Sequence, residues 1–368
     1  MLGAMATVDV LATAYEACRD GAGLIDRSEA GKLLLTGDQA REFLDGQVSN
    51  ATVDLPAGEG VYATLLTNKG RMLGDLRVLG VDGDGLLLVT ERVALQALFD
   101  QLRRGLIGWR VELHKRTLEL GLLSLVGPRV EAIARAAGLP VPGGEEHDVV
   151  ALGANVAGDA GADAAGAAGP VAAGSADAAG FAASTPILTA PVAPPGLPPS
   201  AAVTGAVVRT AAGLDVFAPA ADVAGVRAAL VAAGAVVAPE AVAEIVRVES
   251  GRPRYGVDLD KTVMPEEAGI VDRAVSFTKG CYVGQETVAR LHWKGKPNRH
   301  LRGLRLSAPV EPGTPVVAGD REVGRVGSSV VSPRHGPIAL AILRREVAPG
   351  DQVTAGDVDA EVVAPPFA

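Results

Sequence analysis

The chain changes its grammar once, near residue 299, and that change restricts its fold more than any other feature. Before it, one unit recurs four times, an apolar strand followed by a turn and a helix. The units are Lys32 to Thr36 into Asp38 to Asp45, Leu86 to Thr90 into Glu91 to Arg104, Leu122 to Val126 into Pro128 to Ala137, and Leu214 to Phe217 into Pro219 to Ala233. In the second, Leu95, Leu98, Phe99 and Leu102 fall at i, i+3, i+4 and i+7, one stripe of a helix. In the third and fourth, Pro stands near the helix start and Gly138 or Gly234 past its end. No Gly-rich phosphate loop follows any of these strands, so the pattern predicts an α+β fold rather than a dinucleotide-binding one. Repetition of the unit points to duplicated ferredoxin-like modules. After residue 298 only short Val-rich runs remain, at 301–306, 314–317, 322–326, 338–343, 352–354 and 359–363, separated by Pro-Gly and Gly-Asp turns. Such spacing predicts a small C-terminal β-barrel over 299–368.

One stretch belongs to neither grammar. From Gly153 to Ser200, 32 of 48 residues are Ala, Gly or Pro, and no Lys or Arg occurs between Ala136 and Val208. Small side chains bury little surface and Pro breaks strand ladders, so the stretch cannot repay its ordering entropy and is expected to be a disordered insert. The first domain is then 1–152 plus 201–298, interrupted by 153–200.

The remaining composition excludes several function classes. A content of 48% hydrophobic and 21% charged residues argues against a wholly disordered chain, and a net charge of −9 against a general phosphate binder, so direct tRNA contact is not expected. No uncharged stretch is a sustained aliphatic run, and Asp9 follows the N-terminus too closely for a secretory signal. A cytoplasmic monomer without membrane contact is expected. Cys18 and Cys281 are too few for a disulfide framework, a thiolate-bound cluster or a zinc site, so no metal is assigned.

Four places can carry chemistry. In Lys279-Gly280-Cys281-Tyr282-Val283-Gly284-Gln285-Glu286, glycines flank the cysteine and a lysine precedes it by two residues, a setting that favours thiolate. The alternative for Cys281 is a small buried hydrophobe. Glu249 takes the i+7 position of the stripe Val242, Ile245, Val246, where a carboxylate needs a partner such as a ligand, Arg252 or Arg254, unless it simply reaches water. The turn Asn68 to Asp75 is basic but otherwise an ordinary hairpin loop. The run His292 to His300, one aromatic among cations, reads as an RNA or polyglutamate contact or as a solvated linker between domains.

The Lys279 to Glu286 string closely resembles the K-G-C-[FY]-x-G-Q-E signature of the YgfZ-type folate-binding proteins, relatives of the glycine-cleavage T-protein. Gly46 to Asn50, Gly70-Arg71-Met72, Arg247 to Asp258 and Glu322 to Ser328 also fall in that family's order. The resemblance implies a T-protein-like fold around a folate channel that holds tetrahydrofolate or a derivative. It implies Glu249, Asp75, Tyr62, Arg247 and Gln285 as cofactor-binding residues, and Cys281, Lys279 and Asp75 as the reactive set. Gly280, Tyr282, Gly284 and Glu286 complete the motif. The activity implied is support of iron–sulfur cluster assembly or repair in client enzymes, including tRNA-modifying ones; the alternative is tetrahydrofolate-dependent one-carbon (aminomethyl or methyl) transfer. The sequence departs from the T-protein in having Gly74-Asp75 where that protein has two aspartates, so glycine cleavage itself is not expected. Ala30 and Ala243 stand where some YgfZ proteins have tryptophan.

Overall fold

A computed structural model describes residues 2–81, 85–152 and 205–367; the Ala/Gly/Pro stretch expected to be an insert lies outside the described residues. The described chain forms two sheets and a closed barrel. The first sheet is antiparallel and ordered Gly60–Leu66, Met72–Gly80, Leu86–Thr90, Gly31–Thr36, Glu112–Lys115. The second is ordered Val149–Ala151, Ala206–Thr210, Gly213–Pro219, Leu120–Val126, Gly23–Asp26, Val236–Val237.

Each sheet is a ferredoxin-like module with one added edge strand, and the two run through the same series of strand, helix, three strands, helix, strand. They differ at one edge. In the first, the closing strand Glu112–Lys115 pairs directly with Gly31–Thr36. In the second, Gly23–Asp26 from the start of the chain occupies that place and Val236–Val237 is displaced outward, pairing parallel to it. The expected α+β fold therefore stands.

Helices cover the outer face of each sheet and the inner faces meet. Leu33, Phe43 and Leu98 build one helix-side core, and Leu125, Leu214 and Leu230 the other. Leu79, Leu87, Leu122 and Phe217 fill the space between the sheets. Strands Leu86–Thr90 and Leu120–Val126 are buried at every position, which is why they are predominantly apolar rather than alternating.

The barrel is ordered Arg299–Leu306, Gly336–Arg344, Arg321–Ser332, Pro315–Ala318, Gln352–Ala355, Val358–Val363 and closes on itself. The third of these is longer than its Val-rich run because an irregularity between Val326 and Ser329 lets it continue into the hairpin with Gly336–Arg344. Besides the single turn Val271–Ala274, two longer helices have no signal in the sequence. Leu2–Asp20 packs against the helix Glu240–Glu249 through Ala14, Tyr15 and Cys18. Gln285–Lys294 takes up His292, Trp293 and Lys294, so only residues 295–298 join the body to the barrel. No helix among the described residues is long and apolar enough to cross a membrane.

Candidate functional site

The two inner sheet faces do not close completely. Between them lies a cavity of about 490 Å³, bounded on one side by Tyr62, Asp75, Arg77 and Thr90, on the other by Leu122, Ser124 and Asp215, and roofed by Ala243, Val246, Arg247, Ser250 and the segment Arg252 to Tyr255. A wider cleft of about 1570 Å³ separates the barrel from residues 256–267. It is open and carries the ion pairs Arg299–Glu267, Arg321–Glu346 and Arg325–Glu322 among glycines and aliphatic residues, whereas the chemically unusual side chains converge in the smaller cavity.

Asp75 owes its position to strand alternation. On Met72–Gly80, residues Asp75, Arg77 and Leu79 point between the sheets, while Leu76 and Val78 enter the helix-side core. The Tyr62 hydroxyl, on the paired strand, donates to Asp75 Oδ2 at 2.5 Å, and Thr90 Oγ1 holds the Asp75 carbonyl at 2.6 Å. Burial raises the Asp75 carboxyl from its ordinary 3.8 to about 6; the Tyr62 bond pulls it down and nearby Glu91 pushes it up. Burial, then the Asp75 charge, drives the Tyr62 phenol well above its usual value. The Arg273 guanidinium lies 5.1 Å from the Tyr62 ring centre. Gly74 faces the other way, where a Cβ would lie 2.5 Å from Leu98 Cδ1 and 2.9 Å from Ala94 Cβ. A second carboxylate there would enter the helix packing, not the cavity.

A bridge across the cavity has no signal in the sequence. Arg77 pairs with Asp215 at 2.6 Å, and Ser124 Oγ donates to the same carboxylate at 2.5 Å, tying one sheet to the other. Arg252 pairs with Glu146 at 2.9 Å, and Arg254 with Glu91, Glu240 and Glu244 at 3.1–3.3 Å. Ala30 and Ala243 both lie on the cavity wall, where alanine leaves space.

The residues implied by the resemblance are divided between two places. Tyr62, Asp75 and Arg247 are brought together at the cavity; Glu249, Gln285, Lys279 and Cys281 are not among its lining residues. Arg247 donates to Glu244, Asp258, Ser328 and the Arg252 carbonyl, so its fork fastens the helix to the barrel and is already spent. Glu249 lies two residues beyond Arg247, on the opposite side of a helix whose Ala243, Val246, Arg247 and Ser250 face the cavity. Neither water nor Arg252 nor Arg254 satisfies it. It is 4% exposed, accepts from Tyr15 and Ser332 hydroxyls at 2.6 Å each, and meets Arg19 at 3.7 Å. It thus latches the first helix and the barrel to the body.

The motif itself folds as a clamp. Lys279 Nζ is buried, pairs with the Asp45 carboxylate at 3.1 Å and donates to the carbonyls of Asp45, Val48 and Asn50. With its protons committed there, it is a staple rather than an activator of Cys281. Asn50 in turn donates to the carbonyls of Tyr62 at 2.9 Å and Arg273 at 3.1 Å, so the staple supports the cavity wall. Gly284, at φ 88°, begins the helix Gln285–Lys294 where a Cβ would come within 2.5 Å of the Thr67 carbonyl. Tyr282 is buried, its hydroxyl pushed up to about 12 by that burial. Cys281 is exposed, so the buried-hydrophobe alternative does not hold; buried Cys18, pushed up to about 11, is the inert thiol.

Comparison with known proteins finds two matching domain families. Residues 5–138 match the GCVT N-terminal domain and residues 299–368 the glycine cleavage T-protein C-terminal barrel domain. The chain is 27% identical over 357 residues to an aminomethyltransferase of Corynebacterium jeikeium, covering 95% of this chain and 85% of that protein. It is 28% identical over 369 residues to an aminomethyltransferase of Streptomyces coelicolor, covering 96% and 88%. The glycine cleavage system aminomethyltransferase T of Bartonella henselae superposes with a TM-score of 0.76 at 20% identity, over 98% of this chain and 89% of that one, a likeness of fold.

Proposed function

We propose that this chain, built from the GCVT N-terminal domain and the T-protein C-terminal barrel, binds a tetrahydrofolate between its two sheets and transfers a one-carbon unit. The observation that carries this reading is Asp75, a desolvated carboxyl titrating at about 6 on the wall of a cavity of about 490 Å³. That volume lies in the ordinary range for small-molecule sites. The wall also fits the chemistry of the ligand. Val89, Leu122 and Val246 offer apolar surface to flat rings, and Arg92 and Arg273 offer guanidinium groups to carboxylates.

Tetrahydrofolate would supply the nitrogen that accepts the carbon unit from an amine donor. Asp75, with a pKa near the working pH, accepts the proton which that nitrogen sheds as its new bond forms, and returns it to the donor's departing group as the donor's bond to the carbon breaks. Tyr62 orients the carboxylate, and the bridge of Arg77, Asp215 and Ser124 fixes the separation of the walls. The test is incubation of the purified protein with tetrahydrofolate and small aminomethyl donors, whose carbon already stands at the oxidation level of the product's methylene. Formation of methylene-tetrahydrofolate at many turnovers, abolished in Asp75→Asn, is the expected result; binding without turnover would restrict the protein to a folate-binding role.

One feature favours a second reading, support of iron–sulfur client enzymes. Cys281 is exposed beside Gly280, around which there is open space, so a protein client can reach the thiol without entering the cavity. Complementation with Cys281→Ala separates the two: full restoration of iron–sulfur enzyme activity removes the thiol from any such role.

A further inference from the structure

His147 stands at the cavity in a conformation that demands an explanation. Among the described residues it is the one non-glycine with positive φ, at 79°. Such backbone is strained for a residue with a side chain and persists where the surroundings enforce it. Here the enforcement is visible. The His147 N–H donates to the Arg209 carbonyl at 2.9 Å, and Gly60 passes so closely that a Cβ there would lie 2.9 Å from the His147 carbonyl oxygen.

The strained backbone delivers an imidazole to the cavity wall, 12% exposed, with neither ring nitrogen hydrogen-bonded among the described residues. Nδ1 is buried without a partner, and Nε2 lies 3.9 Å from Glu146 Oε1, beyond bonding distance. An unpaired buried N–H costs more than a bare acceptor, so the neutral ring carries its proton on Nε2. The charged groups around it are Arg77 on one strand, Glu146 beside it, Arg252 after the roof helix, and Arg273. Burial, followed by the repulsion of Arg77, lowers the imidazole to about 4, so the ring is neutral at physiological pH. A carboxylate in this cavity has guanidinium groups to meet; a neutral donor suits an uncharged acceptor.

We propose that His147 is a ligand-binding residue whose Nε2–H donates to the pteridine and benzoyl portion of the folate, not to its glutamate carboxylates. This rests on the folate reading of the cavity, and the experiment keeps the two apart. Equilibrium binding is measured for tetrahydrofolate and for tetrahydropteroate, which lacks the glutamate. The proteins are the wild type, His147→Gly and His147→Asn. Glycine adopts positive φ without strain, so His147→Gly should keep or raise the thermal midpoint while weakening both ligands about tenfold. Asparagine tolerates left-handed backbone and keeps an N–H donor, so it should recover part of that loss. Equal affinity of wild type and His147→Gly, a loss confined to tetrahydrofolate, or an Asn variant no better than Gly each overturns the assignment. A wild type that binds neither ligand overturns the folate reading itself and this assignment with it.

Discussion

Replacing Asp75 by Asn should stabilise the protein at neutral pH while destroying its transfer activity. The carboxyl titrates at about 6 in the fold against an ordinary 3.8. A folded-state value above the unfolded one means that the protonated form is favoured by folding. The resulting stability is complete below about pH 4 and is lost as pH rises through 6. At 1.36 kcal/mol per pKa unit, the cost of the buried charge is ~3 kcal/mol above that range, of which ~2 kcal/mol develops between pH 4.5 and 7.5. Asparagine cannot ionise, yet its Oδ1 can still accept the Tyr62 hydroxyl that lies 2.5 Å from the native oxygen. Urea unfolding of both proteins across that pH interval checks the arithmetic, because titrating groups that do not interact with Asp75 cancel in the difference. The variant should gain ~2 kcal/mol on the wild type over the interval, and turnover should fall ~100-fold or more for loss of a general base. Parallel stability curves would refute the desolvation of Asp75; an active variant would refute its role as base.

Four further variants test the packing. Gly74→Asp should lower the thermal midpoint and add no activity, since its side chain meets Leu98 and Ala94 instead of the cavity; a stable, more active variant would reverse the strand's assigned orientation. Asp215→Asn strands Arg77, which is only 18% exposed, and should cost about 3–5 kcal/mol in denaturant unfolding; an unchanged midpoint would show that the sheets are not held by this bridge. Lys279→Met removes one ammonium from the Asp45 carboxylate and three carbonyls, so amides of residues 46–50 should exchange faster with solvent. Cys281→Ala should leave exchange there, and folate affinity, unchanged.

The sequence by itself determined the fold class and most of its elements. Periodicity is a local property, and it locates strands such as Leu86–Thr90 and the barrel runs because each pattern reports the burial of its own segment. The helix Gln285–Lys294 escaped because only Val288 is buried on it, so no apolar stripe announces it. The motif was equally legible as a string, but its work was not. Whether Lys279 serves Cys281 or the carbonyls at 45, 48 and 50 depends on a loop more than 200 residues away. The same holds for Glu249, an oddity on an apolar stripe whose partners Tyr15 and Ser332 come from the two ends of the chain. His147 and the Arg77–Asp215 bridge left no trace in the sequence. Their significance arises only when two sheets, each specified locally, face each other and withdraw those polar groups from water. Tertiary structure alone decides which charges are desolvated together, and that decision turns an ordinary aspartate at position 75 into a candidate base.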